Sequence, residues 1–276
     1  MKYSIKRYSL AIITLMSGCI WHAHGAAAAD LDSNEKSVWT TTGNVSLVSD
    51  YVFRGVSQTQ RKPTIQAGVD ISHANGLYLG VWGSGVSSAA YSNTSGGEID
   101  IYGGYRFPLT ENANIDLGVI TCWFPGASYS AFGRSVKYNT QEAKVGVTMG
   151  NISVAAYVAL NNDWFGLAVD PFTGMERDTR GSRYIEANWN PEIGDGYTIN
   201  LHVGRQHVRH LDMYDFTDFK VGLTKAIGQW NVSIAGTYNN GRADSNGVPL
   251  WTYFNADGSS KNVVGKAFIL SATRSF

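Results

Sequence analysis

Three histidines lie close together in the second half of the chain, and an acidic residue follows them. His207 and His210 are separated by two residues, with His202 before them and Asp212 beyond. Two imidazoles and a carboxylate could hold a zinc ion if the connecting segment folded back on itself. No cysteine or further carboxylate stands at a diagnostic spacing. Loop imidazoles are more often solvated than metal-bound, so we expect no metal site and no cofactor.

Charged residues elsewhere alternate with apolar ones. Glu98 and Asp100, for example, alternate with Ile99 and Ile101. A period of two is that of a β-strand with one polar and one apolar face. The polar faces carry acids and bases that we expect to line an aqueous lumen. These candidate pore-lining residues are Asp50, Arg54, Asp70, Glu98, Asp100, Arg106, Asp116, Glu142, Lys144, Glu186, Asp218 and Lys220.

The first alternating segment is expected to continue as a strand as far as Arg54. Tyr51 and Phe53 would then lie on its apolar face, and Asp50 and Arg54 on its polar face. The two charged groups could pair with neighbouring strands, for instance with Asp70 or Lys220. Charge pairs in a lumen often only fill it, so structural pairing is favoured over solute binding.

The elements that position these residues number about twelve, each with the length and alternation of one membrane strand. Aromatic residues make up 12% of the chain and charged residues only 16%, which suits strands better than helices. No window after the N-terminal segment reaches the run of about 18 apolar residues that a membrane helix needs. The apolar faces carry aromatic residues toward their ends, as interface girdles require.

Long and short connections alternate between the predicted strands. The long ones are Gly55 to Pro63, Val86 to Gly96, Pro125 to Tyr138, Asn161 to Gly181, His207 to Met213 and Asn239 to Lys261. The short ones are Asn75-Gly76, Pro108 to Asn114, Gly150-Asn151, Pro191 to Gly196 and Ala226 to Gly228. This pattern is typical of an all-β, transmembrane antiparallel β-barrel with long outer loops and both termini in the periplasm. We expect one barrel domain over residues 30–276.

The first 29 residues are interpreted as a cleaved signal peptide. Lys2, Lys6 and Arg7 precede a short apolar run from Leu10 to Met16, and an alanine-rich stretch ends before Asp30. Removing three of the 22 basic residues leaves 19 against 22 acidic ones, a formal net charge of −3. This balance gives no reason to expect a nucleic-acid partner. With Cys19 removed only Cys122 remains, so an internal disulfide is excluded.

The mature chain is predicted to begin near Asp30 without a lipid anchor. The alternative is that Met16-Ser17-Gly18-Cys19 resembles a lipobox, although Leu is usual where Met16 stands. Intact mass of the membrane-extracted protein distinguishes the two. A mass matching a chain that starts at Asp30 is expected, and a diacylglyceryl-modified Cys19 as first residue would refute it.

A soluble sandwich or lipocalin would also show alternation, with its apolar residues inside. Charged groups on the polar face of nearly every strand favour a membrane barrel instead. Phe276 closes the last alternating strand and resembles the C-terminal signal recognised by the outer-membrane assembly machinery, although Arg274 stands where that signal often has an aromatic residue. The expected location is therefore the outer membrane of a Gram-negative cell, in contact with its lipid.

The segment Val48-Ser49-Asp50-Tyr51-Val52-Phe53-Arg54-Gly55-Val56-Ser57-Gln58 resembles the opening motif of the TorF family of porins, a proteobacterial outer-membrane family of unknown function. Weaker matches follow at Pro63, Gly68-Val69-Asp70, Leu77 to Val86, Glu98-Ile99-Asp100, Gly103-Gly104-Tyr105 and Trp123-Phe124-Pro125-Gly126, so the resemblance spans most of the mature chain. It implies an outer-membrane barrel that passes small solutes, with no active site to carry over.

Three function classes follow. The first is a porin for passive diffusion of small polar or cationic solutes. The second is an adhesin or structural barrel with a plugged lumen, because inward aromatic residues such as Tyr78, Trp82 and Tyr184 could line or block the channel. The third, an outer-membrane hydrolase, is disfavoured because no Gly-x-Ser-x-Gly motif is present and His202 falls on the inward face. We expect no enzyme. The sequence leaves the solute, the pore size and the oligomeric state open.

Overall fold

The computed structural model describes residues 38–276, so the predicted signal peptide and Cys19 lie outside the described residues. Twelve strands, numbered here β1 to β12, form the wall of a barrel. They are Trp39–Val48, Thr64–His73, Leu77–Gly85, Gly97–Thr110, Ala113–Trp123, Thr140–Met149, Ile152–Ala159, Arg183–Trp189, Tyr197–His207, Phe216–Ile227, Trp230–Asn239 and Gly265–Ser275. A three-residue strand, Glu192–Gly194, pairs antiparallel with the first two residues of β9.

Each strand pairs antiparallel with the next along the chain, and β12 returns to pair with β1. Between β12 and β1 the register places Asn44 opposite Ser275 and Val48 opposite Ser271. Phe276 extends this seam, because its N–H and carbonyl both bond to the backbone of Gly43. A closed sheet leaves no unpaired strand edge, so every wall strand satisfies its backbone inside the protein.

The side chains alternate between the two faces of the wall. In β11 every second residue is buried, while Trp230, Val232, Ile234 and Tyr238 are among those that point outward. The outward faces carry exposed aliphatic residues along the strands and exposed rings near their ends, including Trp39, Trp123, Trp189, Phe219 and Phe268. This arrangement confirms the predicted all-β membrane barrel with an apolar belt and aromatic girdles. Within residues 38–276 no helix is long and apolar enough to span a bilayer.

Six long connections, loops 1 to 6, lie at one end of the barrel and short turns lie at the other. Loops 1 to 6 comprise residues 49–63, 86–96, 124–139, 160–182, 208–215 and 240–264. They contain small hairpins, namely Val52–Phe53 with Val56–Ser57, Ser128–Ala131 with Arg134–Lys137, Asp244–Ser245 with Val248–Pro249, and Thr252–Phe254 with Ser260–Asn262. Single 3-10 turns occur at Trp164–Gly166 and Asp212–Tyr214.

One prediction about the wall is wrong. Strand β1 ends at Val48, so Asp50 and Arg54 belong to loop 1 and not to a wall strand. Tyr51, predicted on the lipid-facing side, is buried inside the barrel. The chain turns inward after β1 and forms its own two-stranded hairpin, in which Phe53 pairs with Val56. The period-two alternation continues through that hairpin, and for this reason the sequence pattern predicts a β1 that extends as far as Arg54.

Candidate functional site

Loop 1 folds into the barrel, and its tip is a two-residue turn made by Arg54 and Gly55. Both residues have positive φ, 49° and 73°, as a type I′ hairpin turn requires. Positive φ is uncommon for a residue with a side chain, so the backbone at Arg54 is held in a disfavoured conformation by its surroundings.

The Arg54 guanidinium forms a bidentate ion pair with Glu142 of β6. The Nη1–Oε1 and Nη2–Oε2 distances are 2.9 Å and 2.7 Å. Arg54 is 4% exposed and Glu142 is 1% exposed. The indole Nε1 of Trp164, in loop 4, donates a third hydrogen bond to Glu142 at 3.0 Å. Charge-assisted, two-pronged pairs are among the strongest polar contacts in proteins, so Glu142 holds loops 1 and 4 together inside the lumen.

Aromatic rings surround the same guanidinium. Its Cζ lies 4.4 Å from the ring centroid of Tyr184 in β8 and 5.0 Å from that of Tyr157 in β7. The neighbouring Phe53 ring is 4.7 Å away. Cations over ring faces gain further stabilisation when they are desolvated. Arg54 therefore contacts three successive wall strands, β6 to β8, although loop 1 starts from β1.

Gly55, at the tip of the hairpin, lies against strands β10 and β11. A Cβ atom added there would lie 2.5 Å from Cβ of Asp218 in β10 and 3.0 Å from Cβ of Asn239 in β11. The Asn239 side-chain amide donates to the Arg54 carbonyl at 3.1 Å. Only glycine fits this close approach at positive φ. The tip of loop 1 thus touches β6, β7, β8, β10 and β11, which means that it crosses the lumen.

Asp50 organises the base of the same loop. One of its carboxylate oxygens accepts hydrogen bonds from the hydroxyls of Ser57, at 2.5 Å, and Thr59, at 2.9 Å. Outside the loop, the Ser57 N–H bonds to the Val263 carbonyl of loop 6 at 2.9 Å. The Ser87 N–H of loop 2 bonds to the Gln58 carbonyl at 2.9 Å. Two of these four hydrogen bonds lie within loop 1, and the other two join it to loops 6 and 2. Loop 1 also packs against the wall through apolar contacts, such as that of Tyr51 with Trp82.

The remaining long loops cover the hairpin from outside. A cluster of buried apolar side chains joins loops 4, 5 and 6, and it includes Trp164, Val208, Leu211 and Leu250. A second cluster stacks Tyr91 of loop 2 on Phe124 of loop 3, with ring centroids 4.2 Å apart. The loop end of the barrel is therefore closed by protein in this conformation.

The other half of the lumen has a polar wall. Asp116 accepts from the Tyr78 hydroxyl at 2.7 Å and pairs with Lys144 at 2.8 Å, while Arg106 lies over the Tyr78 ring. Asp70 accepts from the Tyr102 hydroxyl at 2.7 Å. Around the rest of the wall, hydroxyls and amides are buried on the inward face, among them Asn44, Asn188, Asn200, Thr224, Asn231 and Ser233. Such a surface suits water and small polar solutes.

His202 lies on the inward face, as the alternation indicates. Its ring nitrogens contact Asn188 at 2.8 Å and Asp218 at 2.9 Å, and Asp218 also accepts from the Tyr184 hydroxyl at 2.9 Å. Glu186 lies beside this network and contacts the Tyr157 hydroxyl at 3.3 Å. These contacts tie His202 to side chains of β8 and β10.

The structure groups the predicted residues differently from the sequence. Arg54 pairs with Glu142, which corrects the expectation of pairing with Asp70 or Lys220. Asp70, Arg106, Asp116 and Lys144 lie on the polar wall away from the hairpin, whereas Glu98, Asp100 and Cys122 form a group of their own. Sequence reasoning missed Trp164 as a partner of Glu142. No local sequence pattern could reveal this contact, because Trp164 lies in loop 4 and Glu142 lies in strand β6.

A closed twelve-stranded barrel with an apolar outer belt and a polar inner wall defines a transmembrane β-barrel of the porin-like, outer-membrane type. The chain belongs to the family described as "Bacterial protein of unknown function (Gcw_chp)", whose model matches residues 32–276. The TorF name stays a prediction. A comparison with curated protein sequences gave no match.

Among solved structures, the chain is similar to the NanC porin, with a TM-score of 0.51 and 8% identity over 85% of this chain and 99% of that one. The KdgM porin gives a TM-score of 0.48 and 9% identity over 85% and 99% of the two chains. An outer-membrane channel from Pseudomonas putida F1 gives 0.44 and 13% over 90% and 100%. At these identities the NanC likeness shows the fold alone, and it agrees with an outer-membrane location.

Proposed function

We propose that the protein is an outer-membrane channel for small polar solutes and that loop 1 is its gate. The observation that carries this proposal is the contrast between the hairpin and the lumen it closes. The wall is polar on its inward face, and the tip of the hairpin is fixed across it by one ion pair, Arg54 with Glu142, and by a hydrogen bond from Asn239. Apolar packing of Tyr51 and Val56 holds the rest of the hairpin. Water can replace polar contacts when the hairpin leaves, which it cannot do for a packed apolar core.

The closed conformation also favours a second candidate, a structural or adhesin barrel whose lumen is permanently plugged. Trp164, Val208 and Leu211 are fully buried over the hairpin, and apolar contacts of this kind resist opening. In that case the lumen inside the polar wall would hold water, but the barrel would conduct no ions.

Planar-bilayer recording of the purified full-length barrel separates the two candidates. Discrete current steps from folded, heat-modifiable protein support the channel. Absence of current from the wild type and also from a variant with an opened loop 1 would reject it in favour of the plugged barrel.

The open channel is expected to prefer cations modestly. On the wall strands the inward acids Asp70, Glu98, Asp100, Asp116, Glu142, Glu186 and Asp218 outnumber the inward bases Arg106, Lys144 and Lys220. The charges of Asp116 and Lys144 cancel each other, because the two side chains form an ion pair. Unpaired carboxylates favour cations in a pore, and their effect falls off over a Debye length, about 8 Å at physiological salt.

Reversal potentials in a KCl gradient measure this preference. We expect a cation sign that weakens as salt rises, and a stronger bias when loop 1 is open, because Arg54 then leaves the lumen. Asp257→Asn serves as a control of small effect, since that carboxylate is exposed in loop 6 and away from the wall strands. A reversal potential of anion sign would contradict the assignment.

We further propose that the protein has no enzymatic activity, and that its partners are outer-membrane lipid, the assembly machinery and the transported solutes. The likeness to porins supports this view only at the level of the fold.

A further inference from the structure

Two carboxylates and a thiol meet on the inward face between β4 and β5. Glu98 and Asp100 occupy successive inward positions on β4, and Asp100 lies directly opposite Cys122 of β5 in the register. One ligand atom from each of the three side chains lies within 4.8 Å of the other two. The residues are 3%, 7% and 1% exposed, respectively, so all three are withdrawn from bulk water.

Each carboxylate of this group has one oxygen that the protein leaves without a hydrogen bond. Glu98 Oε2 and Asp100 Oδ1 are buried without a hydrogen-bond partner. Burying a charged oxygen without a partner is costly, and two such atoms side by side cost more. The Arg54 guanidinium lies close enough for its charge to act on Asp100, but both of its terminal nitrogens bind Glu142 and it hydrogen-bonds to neither of these oxygens, so part of the cost remains. A positive charge that bridges the two carboxylates would remove it.

We propose that Glu98, Asp100 and Cys122 form a binding site for a borderline-soft divalent cation, with zinc as the preferred occupant. Thiolate and carboxylate together are ligands for zinc, whereas calcium and magnesium take oxygen ligands alone. Three protein ligands leave a fourth position for water. The ligand atoms lie within 4.8 Å of one another, and ligands of tetrahedral zinc lie roughly 3.5 Å apart, so the side chains would move closer together on binding.

A dication offsets most of the negative charge of the occupied site and leaves a net charge of −1. On binding, the Cys122 thiol releases its proton to solvent, and its thiolate and the two carboxylates then face a dication. Tyr51 of loop 1 donates a hydrogen bond to Glu98, so the site lies beneath the hairpin. The competing arrangement is a single proton held between Glu98 and Asp100, which are also in hydrogen-bond contact. The inference does not depend on whether the barrel conducts.

Cadmium is the probe, because its bond to a thiolate adds an ultraviolet absorption band at longer wavelength than that of zinc. The full-length barrel is titrated in detergent and is also refolded in the presence of cadmium, so that loop 1 cannot bar entry. Asp100→Asn and Cys122→Ser test the ligands, Asp116→Asn is the matched carboxylate control, and His207→Ala tests the histidine cluster. Heat modifiability verifies that every variant has folded.

We expect a band that saturates at one cadmium per barrel and is displaced by zinc. The band should vanish in Cys122→Ser. The affinity for cadmium should fall by more than about tenfold in Asp100→Asn. Both the band and the affinity should be unchanged in Asp116→Asn and His207→Ala. Zinc should also raise the thermal unfolding midpoint of the wild type and not that of Cys122→Ser. A folded wild type with no band, or an Asp100→Asn variant with undiminished affinity, would overturn the site.

Discussion

Replacing Arg54 with Gln should convert a mostly closed channel into a mostly open one. The variant leaves Glu142 buried, 1% exposed, without its ion-pair partner. Removing one member of a buried pair costs about 3–5 kcal/mol. Loop 1 lies outside the closed, hydrogen-bonded sheet of the wall, so this cost should be relieved by release of the hairpin and not by unfolding of the barrel.

The expected shift is large. A change of about 3 kcal/mol corresponds to roughly a hundredfold change in the ratio of closed to open states. Single-channel recording measures it as open probability. The double variant Arg54→Gln/Glu142→Gln removes both charges and should close more often than Arg54→Gln alone, because no bare carboxylate is left in the lumen.

Arg134→Gln is the matched control. Arg134 also makes a bidentate pair, with Asp163 at 2.6 Å and 2.9 Å, but its side chain is 37% exposed in the outer loops. Exposed pairs contribute about 0–1 kcal/mol, so the gating should barely change. Equal open probabilities for Arg54→Gln and the wild type would show that the Arg54–Glu142 ion pair does not hold the channel closed.

Deleting Phe276 should reduce folded protein in the outer membrane several-fold while synthesis stays the same. The N–H and carbonyl of Phe276 bond to Gly43 at 2.9 Å and 2.8 Å, and these bonds extend the seam where β12 meets β1. Its ring lies over Gly43, since a Cβ there would be 2.5 Å from the ring Cε2. The deletion therefore weakens closure of the sheet and also removes the proposed assembly signal.

Phe268→Ala is the comparison for this deletion. Phe268 lies outward on the same strand and is as exposed as Phe276, at 61%. It lies near the loop end of β12 and not at the terminal seam, so insertion should be close to normal. Heat-modifiable protein on gels, compared with total protein, gives the result. Equal folded fractions for the deletion and the wild type would show that Phe276 is dispensable for assembly.

The wall could be predicted from the sequence because a period of two assigns each residue to one face. The charged positions Glu98, Asp116 and Asp218, for example, are buried on the inward face. Closure and strand order follow from the alternation of long and short connections, because antiparallel neighbours need only short turns at one end.

Loop 1 could not be predicted in the same way. Val52, Phe53 and Val56 have strand-like side chains, so periodicity alone continues β1 into the hairpin. The only local signal is the Arg54-Gly55 pair, and arginine is not a characteristic first residue of such a turn. The partner of Arg54 is Glu142, 88 residues away in the chain. Likewise, Asp100 and Cys122 meet only through the strand register, which a spacing pattern does not contain.

The most direct test of the gate is to remove the part of loop 1 that crosses the lumen. Residues 52–57 are replaced by a glycine-serine linker of equal length, and single-channel conductance is compared with that of the wild type. The control replaces residues 255–259 of loop 6, where Asp257 and Ser259 are exposed and bond to each other. We expect a larger conductance and long openings for the loop 1 variant, with the control like the wild type. A loop 1 variant that folds and conducts no more than the wild type would contradict the account.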